Sequence, residues 1–87
     1  MTYRVELTPA ARRDLKKLPW DILRRVDAHI LALAQNPHPP GAQKLEGGEG
    51  FFRVRVGDYR IIYTVEHFHL IIAIVRVRHR REVYRAN

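Results

Sequence analysis

Apolar positions along the first forty residues change period twice. Tyr3, Val5 and Leu7 alternate with Arg4 and Glu6, the period-two pattern of a short strand. Thr8-Pro9 then reads as a helix N-cap followed by proline at the first helical position. Ala11, Leu15 and Leu18 keep helical spacing up to Pro19, while Arg12, Arg13, Lys16 and Lys17 fall on the polar side. Pro19 closes that helix and can sit in the first turn of the next. Ile22, Val26, Ile30 and Leu33 form the apolar stripe of this second helix, and Asn36-Pro37-His38-Pro39-Pro40-Gly41 stops it.

A polar, glycine-containing loop spans residues 42–50, and three strands are expected after it, over 51–56, 59–65 and 70–78. Gly57-Asp58 is a two-residue hairpin turn with glycine first, as a type II′ turn requires. Residues 66–69 are a second turn, and 80–87 a short polar tail. The order β-α-α-β-β-β predicts a single α+β domain over 1–87, with the helical hairpin packed on one face of an antiparallel sheet.

Turn parity then sorts the side chains. The Gly57-Asp58 turn sets Val56 across from Tyr59 and Arg55 across from Arg60. Phe52, Val54, Val56, Tyr59, Ile61, Tyr63 and Val65 share the core face, and Arg53, Arg55 and Arg60 the other. An odd second loop, His67-Phe68-His69, places Arg76 across from Arg60, adds Arg76 and Arg78 to the arginine face, and sends Ile71, Ala73, Val75 and Val77 to the core. An even loop would bury both arginines among apolar residues at a cost of several kcal/mol, about what an uncompensated polar group demands. Five arginines are thus expected on one face.

Composition sharpens that picture. The net charge is +7; residues 1–49 carry 8 Lys+Arg against 6 Asp+Glu, and residues 50–87 carry 8 Arg against 3. Lysine is absent after Lys44. Arginine matches phosphate with a planar fork and keeps its charge, so the expected ligand is RNA or DNA. No cysteine is present, which removes thiol chemistry and disulfides and fits a cytoplasmic setting. No apolar run approaches the ~20 residues of a membrane span. His67 and His69 have H-x-H spacing, but spacing fixes no third ligand near them, so no metal site is assigned.

In order along the chain, Lys44-Leu45-Glu46-Gly47, Phe52-Arg53-Val54-Arg55-Val56, Gly57-Asp58-Tyr59-Arg60-Ile61-Ile62-Tyr63 and Val77-Arg78-His79-Arg80-Arg81-Glu82-Val83-Tyr84-Arg85 resemble the RelE toxins of the RelE/ParE superfamily. The similarity covers essentially the whole chain. It implies a type II toxin that enters the ribosomal A site and cuts mRNA, the ribose 2′-oxygen attacking the adjacent phosphate to leave a 2′,3′-cyclic phosphate and a 5′-hydroxyl. It also implies a RelB-like antitoxin, a toxin–antitoxin complex of higher order, and no cofactor. By position, Arg53 and Arg55 match basic strand residues that hold phosphate, Arg60 the arginine that stabilises the transition state, Arg78 the arginine that protonates the leaving oxygen, and Tyr84 the tyrosine that stacks on a base or orients the 2′-hydroxyl.

The chain departs from the family where a lysine acts as base, because a guanidinium is a poor proton acceptor. Tyr84 or His79 is then expected to handle the proton, and Arg53, Arg55, Arg76, Arg80, Arg81 and Lys44 to contact RNA. Two other readings stand beside this one: a ParE-like toxin that binds DNA gyrase, and a non-catalytic protein that binds nucleic acid or antitoxin.

Overall fold

Local sequence preference and edge protection account for most of the architecture. The computed structural model describes residues 2–47 and 50–81. Strand β1 (Arg4–Leu7) leads into helix α1 (Pro9–Lys16) and helix α2 (Trp20–Gln35). A two-residue strand β2 (Gln43–Lys44) precedes β3 (Phe51–Val56), β4 (Tyr59–Glu66) and β5 (Ile71–His79). Thr8 caps α1, its hydroxyl accepting from Ala11 N–H at 3.1 Å with Pro9 following at the first helical position.

The five strands form one sheet in the order β1-β5-β4-β3-β2. The sheet is mixed, which corrects the fully antiparallel expectation: β1 runs parallel to β5, with Val5 beside Ile72 and Leu7 beside Ile74. The loop expected over 42–50 also contributes β2, which pairs with β3 through Gln43–Arg53 and Lys44–Phe52. Both helices cover one face. Ala11 from α1 and Val26, Ile30 and Leu33 from α2 pack on Val54, Val56, Ile61, Tyr63, Ile72, Ile74 and Val77. At roughly 1.5–3 kcal/mol per fully buried large apolar side chain, this layer is what the amphipathic helices gain from docking. Tyr63 is fully buried, and its hydroxyl donates to Pro37 O at 2.7 Å, so this buried phenol is satisfied.

The β4–β5 connection differs from the expected odd loop. Glu66 pairs with Ile71, so the turn has four residues, 67–70. By parity alone an even turn would bury Arg76 and Arg78. A β-bulge prevents this: Tyr63 pairs with Ile74 but Ile62 with Arg76, leaving Val75 as the extra residue. Before the bulge Ile72 and Ile74 enter the core; after it Val77 does. Ile71, Ala73 and Val75 are therefore not the core residues expected, and Arg60 lies across from Arg78 rather than Arg76.

Gly57 has φ +59°, the left-handed value that the first position of the turn needs. A Cβ built there would lie 3.4 Å from the Arg25 guanidinium. Gly57→Ala is expected to lower stability by about 1–2 kcal/mol, the usual penalty of left-handed backbone for a residue with a Cβ. Urea unfolding of the two proteins checks this; equal midpoints would mean that the turn tolerates a side chain without strain.

Candidate nucleic-acid interface

The face of the sheet away from the helices is organised by register. Arg55, Arg60 and Arg78 stand side by side on β3, β4 and β5, because Arg55 pairs with Arg60 and Arg60 with Arg78. One step further along, Arg53, Ile62 and Arg76 form the next row. Neighbouring strands lie about 4.8 Å apart, so the first row concentrates three guanidinium groups across about 10 Å of sheet. Arg55 is exposed, Arg78 half-buried, and Arg60 retains only 4% of its accessible surface. Three like charges in one row oppose folding by a few tenths to about 1 kcal/mol per facing pair.

The arginines of the second row have named side-chain partners. Arg53 donates to Gln43 Oε1 at 2.7 Å, an anchor to β2. Arg76 makes a two-pronged contact with Asp14 of α1, Nε to Oδ2 at 2.8 Å and Nη2 to Oδ1 at 3.1 Å. Asp14 Oδ2 also accepts from Val77 N–H at 2.9 Å, while Thr8 Oγ1 donates to Val75 O at 2.9 Å. Strand β1 ends at Leu7, so beyond Ile74 the outer edge of β5 has α1 where a strand partner would be. The helix cap and one carboxylate thus fasten the bulge and cover an otherwise open strand edge.

Burial alone would raise the Asp14 carboxyl. The Arg76 hydrogen bonds, the Val77 N–H and the charges of Arg76 and Arg78 outweigh that and hold it below its ordinary 3.8. Asp14 was not singled out as a site residue from sequence, yet its position carries a signal. It lies three residues after Ala11 and four before Leu18, on the apolar stripe of a helix whose other charges are all basic.

The remaining residues expected at the interface fall elsewhere. His79 pairs with Tyr59, on the helix-facing register, and its ring meets the Tyr59 ring edge-on at 5.1 Å, apart from the Arg60–Arg78 row. Lys44 pairs with Phe52 and so shares the helix-side register rather than that of Arg53. Arg80 and Arg81 are exposed where the chain leaves β5, and Arg80 N–H donates to Asp58 O at 2.7 Å. Tyr84 lies outside the described residues. Among the described residues no three His, Asp or Glu side chains are grouped to hold a metal, and no helix is long and apolar enough to cross a membrane.

Residues 5–84 match the family model described as ParE toxin of the type II toxin–antitoxin system, parDE. The chain is 38% identical over 86 residues to Toxin RelG of Mycobacterium tuberculosis, covering 98% of this chain and 99% of that protein. Its fold superposes with a TM-score of 0.80 on a chain of the M. tuberculosis RelBE2 toxin–antitoxin complex, 36% identical, covering 91% of this chain and 99% of that one. An archaeal RelE–RelB complex from Pyrococcus horikoshii gives the same TM-score at 34% identity, covering 92% and 97%.

Asp14→Asn tests the clamp. Breaking a fully buried pair costs about 3–5 kcal/mol; with 35% of the Arg76 side chain exposed, a loss of about 2–3 kcal/mol at pH 7 is expected. A carboxyl lowered on folding contributes stability above its unfolded pKa and loses that contribution as pH falls through the folded value. The gap between native and Asp14→Asn proteins should therefore be full at pH 7 and shrink below about pH 4. Urea unfolding across pH reads it; a gap that persists undiminished at low pH contradicts the ionic origin.

Proposed function

The chain belongs to the RelE/ParE family of type II toxin–antitoxin toxins, and from that membership we propose that it is a ribosome-dependent endoribonuclease cutting mRNA in the A site. The observation that carries this reading is the Arg55–Arg60–Arg78 row at a single register. In the proposed reaction a ribose 2′-oxygen gives up its proton and bonds to the adjacent phosphorus. The bond from phosphorus to the 5′-oxygen breaks, that oxygen takes a proton, and a 2′,3′-cyclic phosphate remains.

Charge builds on the non-bridging phosphate oxygens, so fixed donors aimed at them accelerate the reaction. Exposed Arg55 is suited to collecting the phosphate. Arg60, almost wholly covered, is suited to act as a donor that needs no reorganisation, and Arg78 sits beside it to protonate the leaving oxygen. Arg53, held to Gln43, and exposed Arg80 and Arg81 extend the track for flanking phosphates. Arg76 has its charge matched by Asp14, and its part is to position the row rather than to bind RNA. Since no lysine stands in the row, electrostatic stabilisation and the orientation of mRNA by the ribosome carry the rate, and Tyr84 handles the 2′ proton. A RelB-like antitoxin, the partner present in the neighbouring structures, would neutralise the toxin by covering this face, in a complex of higher order in the cytoplasm.

The ParE name of the matching family model favours one competing reading, a toxin that binds DNA gyrase. Primer extension on mRNA translated in vitro separates the two. Cuts within codons that require ribosomes support the first, and intact mRNA with gyrase-cleaved DNA the second. Arg60→Ala and Arg78→Ala should each lower cleavage by about 10²–10³-fold, the effect of removing one oxyanion donor. Arg60→Lys should lower it too, because it keeps the charge and loses the fork. Arg12→Ala, on the exposed side of α1, should cut like the native protein. Native-like cleavage by both alanine variants rules the row out as the site.

A further inference from the structure

At the end of the sheet remote from Gly57, three segments distant in sequence meet through aromatic and imidazole rings. His38 lies in the loop after α2, His67 in the β4–β5 turn, and Tyr3 just before β1. The His38 backbone N–H donates to Asn36 Oδ1 at 3.1 Å, and its ring meets Phe52 edge-on at 5.0 Å. Phe52 in turn stacks on Tyr63, whose hydroxyl is fixed to Pro37 O. His67 Nδ1 lies 2.8 Å from Tyr3 Oη. The two imidazoles are therefore each held from behind, and they face one another with 3.5 Å between His38 Nε2 and His67 Nε2 and 5.5 Å between ring centroids.

That spacing is long for a hydrogen bond, whose donor and acceptor favour about 2.7–3.2 Å. Two metal–imidazole bonds of about 2.0–2.1 Å meeting at a tetrahedral angle hold their nitrogens about 3.3–3.4 Å apart. The geometry points to a two-histidine site for a borderline transition-metal cation, Zn(II) above all, bound between His38 Nε2 and His67 Nε2. With Tyr3 Oη accepting from His67 Nδ1–H, the tautomer is the one that leaves the Nε2 lone pair for the metal. Glu66 and His69 are engaged with each other at 3.1 Å, and Glu66 also takes the Phe68 and His69 N–H groups, so the protein supplies two ligands and water completes the shell. The site is a staple. It joins the α2–β2 loop to the β4–β5 turn and, through Tyr3, to β1.

This inference is independent of the nuclease reading. Arg60 and His67 are seven residue steps apart along β4 and its exit, roughly 23 Å, so the cation takes no part in phosphate chemistry. Untagged full-length protein, stripped with chelator, is melted with and without Zn(II) and followed by circular dichroism. A ligand bound only to the folded state raises the midpoint by mass action; at about 100 times its Kd, a rise of roughly 10–20 °C is expected for a chain of this size. His38→Ala and His67→Ala should each abolish the rise, as should His67→Gln, which keeps a polar side chain facing Tyr3. His29→Ala and His69→Ala should retain it. Melting in chelator alone establishes that every variant is folded. No rise with the native protein, a rise that survives in His38→Ala or His67→Ala, or its loss in His69→Ala would each overturn the site.

Discussion

The contact on which the arrangement turns is that of Asp14 with Arg76 and the Val77 N–H. A carboxylate placed on the buried stripe of α1 is costly unless it is matched, and β5 matches it at the point where the strand departs from regular pairing. Thr8 works from the other side, capping α1 with one lone pair and donating its proton to Val75 O. Helix start, strand edge and bulge are thus one hydrogen-bonded unit. Through it the position of a helix determines which arginine of β5 stands beside Arg60.

The same unit divides the two arginines of β5 by role. Arg76 gives its charge to the protein, and Arg78 keeps its place in the row. A sheet face with three adjacent guanidinium groups gains nothing from its own cohesion. It is tolerated because the opposite face has a continuous core, from Ala11 and Val26 through Ile61 and Tyr63 to Ile74. The fold thus keeps its apolar core on one side of the sheet and its row of arginines on the other.

Much of this was legible in the chain. The Thr8-Pro9 cap, the Ile22–Leu33 stripe and the Gly57-Asp58 turn are local signals with local physical causes, and they gave the helices, the β3–β4 register and Arg55 beside Arg60. The β4–β5 connection was not legible, because its outcome depends on two errors of parity that cancel: an even turn over 67–70 and one extra residue at Val75. Avoiding buried arginines led to the right face for Arg78 by way of the wrong turn and the wrong core residues. The parallel pairing of β1 was hidden too, since alternation over four residues is the same in either direction. The ion pair of Arg76 required knowing that α1 lies along β5, a contact between residues 62 positions apart.

The bulge has a further consequence for how such a chain can vary. It splits β5 into two half-strands of opposite phase: residues 71–74 follow β1 and the core, and residues 76–79 follow α1 and the arginine row. A phase slip built into the strand uncouples the two. Ile72 and Ile74 answer to the core on one side of the slip, and Arg78 to its row on the other. One surplus residue gives the two halves of a single strand different neighbours and different constraints.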